Sequence, residues 1–97
     1  MVIAQNHCPF DGSYGQICFV LCSDGRTIVL MCNECDAVWL NPEHLEGESF
    51  ISVNEPPDYL LPGTNCSLRF PQARWATRDE VIERGWSDFI KGEIIDN

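Results

Sequence analysis

The chain has 97 residues, 44% hydrophobic and 22% charged, which predicts one small domain (1–97) with a modest core and excludes disorder. Six Lys and Arg against 15 Asp and Glu give a net charge of −9, a field that repels nucleic acid and attracts basic partners. The opening MVIAQNHC has no basic n-region and no long apolar run, so the sequence predicts no signal peptide, no membrane segment and a cytoplasmic location.

In chain order, Gln16 to Cys22 is rich in strand formers, Ser23-Asp24-Gly25-Arg26 is a turn signal, and Thr27 to Met31 is a second strand. Ala37 to Leu40 reads as a third. Asn41-Pro42-Glu43 carries the marks of a helix start, with Asn41 as cap and Pro42 at the first helical position. Gly47 limits it to little more than one turn. Phe50 to Val53 is a candidate strand. Pro56, Pro57, Pro62, Gly63 and Pro71 punctuate the stretch that follows as an ordered loop, with a short strand near Cys66 to Phe70. Thr77-Arg78-Asp79-Glu80 is a capping box that opens a helix ended by Gly85, which Trp75 and Trp86 are expected to anchor. Trp86 to Ile90 reads as a last turn or short helix. The fold class expected is small α+β: a β-hairpin grown to a three-stranded sheet, with a C-terminal helix. Its parts are a cysteine-bearing section (7–45), a loop-rich section (46–74) and a helical section (75–91).

Six cysteines in a reducing compartment point to metal binding or burial rather than to disulfides. Cys32-Asn33-Glu34-Cys35 is a C-x-x-C turn. Cys8-Pro9-Phe10-Asp11-Gly12 is half of another, with Asp11 where the second thiol would stand. Two such turns joined by a hairpin bring their thiolates to one point, where backbone amides donate to sulfur and four ligands close a tetrahedral zinc site. A carboxylate oxygen also binds zinc, so the ligand set expected is Cys8, Asp11, Cys32 and Cys35, with zinc as cofactor. Register counting about Asp24-Gly25 sets Cys18 level with Met31, close enough to be a reserve ligand. It sets Cys22 about 16 Å from the level of Cys32, at roughly 3.3 Å per residue. Residues 8–45, with CNECDAVWLNPEHL running from the second pair into an aromatic and a proline, resemble a group of small bacterial zinc-ribbon-like proteins of CPxCG…CxxC pattern. The resemblance implies a zinc ribbon and departs at Asp11.

A redox use of C-x-x-C requires a helix after the pair, and acidic Glu34 and Asp36 work against a reactive thiolate. Phosphate loops, nucleophile elbows and H-E-x-x-H motifs are lacking. His7 and His44 are far apart, and Glu34 is the only candidate acid or base, so the sequence predicts no enzyme. Between Arg26 and Arg69 there is no Lys or Arg. That interval supplies the expected partner surface: Glu43, Glu46, Glu48, Glu55 and Asp58. The function read from it is a small acidic module that binds a basic protein. Its most concrete form is an immunity protein that masks a basic toxin. The alternatives are a ribbon subunit or regulator in a larger complex, with an apolar patch around Tyr59, Leu60 and Leu61, and a nucleic-acid-binding ribbon using Arg69, Arg74, Arg78 and Arg84. Asp79, Glu80 and Glu83 compensate those arginines, which makes nucleic acid unlikely as a partner.

Overall fold

Strands β2 (Ile17–Leu21) and β3 (Ile28–Cys32) are apolar at every position, and every one of their side chains is buried. A strand with that pattern needs cover on both faces. The computed structural model, which describes residues 1–10, 15–46, 50–53, 59–61 and 63–94, supplies it. β2 and β3 form an antiparallel hairpin running from Ile17 opposite Cys32 to Leu21 opposite Ile28. Its turn is organised by Asp24. One carboxylate oxygen accepts from the Arg26 and Thr27 amides at 2.9 and 2.8 Å, and the other accepts from the Thr27 hydroxyl at 2.6 Å. Those donors hold the Asp24 carboxyl well below the usual carboxylate range.

The described strands build one antiparallel sheet of seven, wider than the three-stranded sheet expected. β4 (Ala37–Trp39) and β5 (Ser52–Val53) extend it beyond β3. On the other side, β1 (Val2–Gln5) pairs β2 near Cys18, and β6 (Arg74–Trp75) pairs the same edge further along, at Val20 and Leu21. β7 (Gly92–Glu93) closes on β1. The anticipated helix at Asn41 is a turn instead. The Asn41 side chain accepts from the Glu43 amide at 2.9 Å, the local bond by which Asn competes with helix propagation.

Side chains alternate across the sheet and sort into two buried clusters. One face gathers Ile17, Phe19, Leu21, Leu30, Cys32 and Trp39, and is covered by Val81, Trp86, Phe89 and Ile90. The other gathers Val20, Cys22, Val29, Met31 and Val38, and is covered by Leu61, Leu68 and Trp75. The proline-punctuated loop is therefore a covering layer. Leu60 and Ser67 form a bridge within it, and Leu61 and Leu68 point into the core.

Helix α1 (Arg78–Glu83) has six residues. Its capping box forms as read: the Thr77 hydroxyl accepts from the Glu80 amide at 3.2 Å, and Glu80 accepts from the Thr77 amide at 2.8 Å. Gly85, at φ 88°, closes its C-terminus, with the Gly85 and Trp86 amides donating to the Ile82 and Val81 carbonyls. A single 3₁₀ turn at Ser87–Phe89 follows, then β7. The two tryptophans expected to anchor the helix together divide. Trp86 packs on Phe19 with ring centroids 6.0 Å apart, on the helix side. Trp75 packs on the opposite face and meets Phe70 at 5.3 Å.

Candidate metal centre

The sheet delivers three cysteines to one place from two directions. Cys32 is the last residue of β3, so its side chain direction is fixed by the ladder opposite Ile17. Cys35 follows on the turn that carries the chain into β4. Cys8 arrives from the segment after β1. Their Sγ atoms all lie within 4.8 Å of one another, and Cys8 Sγ to Cys35 Sγ is 3.6 Å. Thiolates around a tetrahedral zinc sit about 3.8 Å apart, given a Zn–S bond near 2.3 Å, so the cluster has the size of one ligand triangle. The Glu34 and Cys35 amides donate to Cys32 Sγ at 3.4 and 3.5 Å, the backbone-to-sulfur bonds that a metal-binding turn provides. The donor set fits a thiophilic metal ion.

The electrostatics follow from depth. Burial pushes the Cys32 thiol up to about 12, against the pull of the Cys35 and Glu34 amides. Burial also raises Cys35. Without a cation these thiols stay protonated. A bound metal would displace their protons and neutralise the charge that burial penalises. The turn ends on Asp36 at φ 61°, a left-handed conformation that Asp tolerates better than most residues.

Of the expected ligands, Cys8, Cys32 and Cys35 are brought together, and Asp11 lies outside the described residues. Cys18 is excluded as a reserve ligand. It stands opposite Met31, as the register count required, but strand alternation turns it to the face opposite Cys32. Its thiol donates to the Gln16 carbonyl at 3.8 Å, and burial raises it to about 11. His7 and His44 are exposed and stand outside the cluster.

Of the expected partner-binding acids, Glu43 and Glu46 are exposed on the segment after β4, and Glu48, Glu55 and Asp58 lie outside the described residues. Tyr59, Leu60 and Leu61 do not make one apolar patch, because Leu60 is exposed while Leu61 is buried. Three of the four late arginines are engaged by neighbours. Arg74 pairs with Glu80 at 2.6 Å, Arg78 pairs with Glu93 at 3.0 Å, and Arg84 lies over the Trp86 ring. Glu80 was expected among the compensating acids; Glu93, from β7, was missed because nothing local in the sequence ties it to Arg78.

The fold and the site define a small antiparallel sheet protein carrying a three-thiol cluster at one end of its central hairpin. No helix among the described residues is long and apolar enough to cross a membrane. No protein-family model matches the chain, and no solved structure matches it. It is similar to an uncharacterized protein of Acanthamoeba polyphaga mimivirus, 28% identical over 69 residues, which is 66% of this chain and 54% of that relative. The match thus spans about half the length of the viral protein.

Proposed function

We propose that this chain is a zinc-ribbon-like binding module, without catalytic activity, whose ion is a structural staple and whose acidic face docks a basic protein. Cys8, Cys32 and Cys35 supply three ligands, and Asp11 supplies the fourth from the place of a second thiol. The observation that carries the metal reading is the convergence of three Sγ atoms within 4.8 Å. The partner reading rests on the charge of −9 and on the exposure of Glu43 and Glu46. In its most concrete form the module is an immunity protein that covers a basic toxin, where complementary charge speeds capture.

Native mass spectrometry of protein purified without added metal tests the first half. One zinc in the wild type and none in Cys32→Ser is the expected result, with weakened retention in Asp11→Ala. Apo protein in every sample would overturn it. For the second half, cross-linked partners are captured from lysate at low salt with wild type and with the Glu43→Lys/Glu46→Lys double variant. Basic partners should be lost on charge reversal. An unchanged set of partners would sink the acidic-face reading.

A further inference from the structure

A second sulfur site lies on the other face of the sheet. Cys22 ends the β2 side of the hairpin and is fully buried, and Cys66 lies half-buried in the covering loop. Hydrogen bonds lay the two segments side by side. The Ser23 amide donates to the Ser67 carbonyl at 3.0 Å, and the Ser67 amide donates to the Ser23 hydroxyl at 2.8 Å. The Cys22 thiol donates to the same Ser67 carbonyl at 3.4 Å, and the Cys66 thiol donates to Asp24 Oδ2 at 3.2 Å. Burial, and after it the neighbouring Cys66 thiol, push the Cys22 thiol up to about 12. Both are free, and neither belongs to the three-thiol cluster.

We propose that Cys22 and Cys66 form a dithiol modification site, closed to a disulfide by exchange with a low-molecular-weight disulfide such as glutathione disulfide. Cys66 is the entering thiol because it reaches solvent. Its thiolate attacks one sulfur of glutathione disulfide, the S–S bond breaks, and one glutathione leaves as thiolate and takes up a proton. Cys22 then attacks the Cys66 sulfur and expels the second glutathione, whose departing sulfur takes up the Cys22 proton. Two protein thiols are oxidised, and one glutathione disulfide is reduced to two glutathiones. The bond ties the β2–β3 turn to the covering loop. It encloses between its ends the whole stretch from Glu34 to Asp58.

The test uses the purified full chain equilibrated in glutathione buffers of rising oxidised fraction, trapped with an alkylating agent and mapped with chymotrypsin. Cleavage at Phe19, Leu21 and Leu30, and at Tyr59 and Leu68, separates Cys22 from Cys18 and Cys32, and Cys66 from Cys35. The expected result is a Cys22–Cys66 linked peptide, lighter than its reduced parts by two hydrogens. It should be absent from Cys66→Ser and accompanied by a thiol-reversible rise in Tm on the order of 10 °C. A Cys66–glutathione adduct with Cys22 still free to alkylate would overturn the proposal. So would Cys22 linked to any other cysteine. The wild-type map decides between these outcomes even if Cys66→Ser folds poorly.

Discussion

The indole Nε1–H of Trp39 donates to the backbone carbonyl of Glu46 at 3.0 Å. Trp39 is fully buried in the helix-side cluster, and Glu46 is exposed on the acidic segment. One bond therefore fastens the candidate partner surface to the core. Trp39→Phe keeps much of the apolar volume and removes the donor. The expected cost is about 1–2 kcal/mol, read as a shift in the urea midpoint with unchanged m-value. Amide exchange at residues 43–46 should accelerate more than exchange in β2 and β3. Uniform acceleration would mean that Trp39 serves the core alone.

Metal removal should loosen the fold at one end. Each thiol that binds a metal gives up its proton, so apparent affinity falls as pH falls. A chelator is expected to lower Tm of the wild type and to leave Cys32→Ser unchanged. Calorimetry in buffers of different ionisation enthalpy would count the protons released. A chelator-insensitive wild type would speak against the staple.

Asp36 is the residue whose backbone closes the Cys32–Cys35 turn, at φ 61°. Asp36→Gly should be neutral or slightly stabilising, because glycine enters this region without steric conflict. Asp36→Val should cost about 1–2 kcal/mol, the penalty of a β-branched side chain in a left-handed conformation. Equal stabilities of the two variants by thermal melting would show that the turn relaxes out of this geometry.

Glu80 both caps α1 and pairs with Arg74. The Arg74 guanidinium, helped by the Thr77 amide and hydroxyl, holds its carboxyl down at about 2, against 4.5 for an ordinary glutamate. A depressed carboxyl stabilises the fold above its unfolded pKa, and that contribution fades as pH falls from 4.5 towards 2. Glu80→Gln retains a capping side chain and isolates the charge. It should cost about 0.5–1 kcal/mol at pH 7, a modest value because Arg74 is half exposed. The gap to wild type should close between these pH values. Glu80→Ala, which also loses the box, should cost about 1–2 kcal/mol.

The central hairpin was legible because two unbroken apolar runs flank an Asp-Gly turn, and the register followed by counting. The capping box was legible because it is a purely local device. β1 was missed since VIAQ, four residues long, has no turn before it and is a strand only through pairing with β2 and β7. β7 has no apolar pattern at all, and its identity comes from its partner. The second placement of tryptophan failed for another reason. Trp75 sits in a two-residue strand, where alternation sends it away from its neighbour Ala76, and helical flanking was the wrong guide. At the candidate site, C-x-x-C spacing located Cys32 and Cys35, and Cys8 followed from the Cys-Pro start. The Cys22–Cys66 pairing was not legible, because Cys66 lies in a loop whose path is set by tertiary contacts.

The two faces of the sheet have a chemical consequence for five of the six thiols. Cys8, Cys32 and Cys35 open to one side of the sheet, while Cys22 and Cys66 meet on the other. Between them stands a backbone ladder with no gap for a migrating sulfur, so the sheet is a partition. Chelation and oxidation, as proposed, would then address separate compartments of one small domain. Scrambling between the two sets has to wait until the central hairpin itself comes apart, which makes mixed pairings a chemical record of global unfolding.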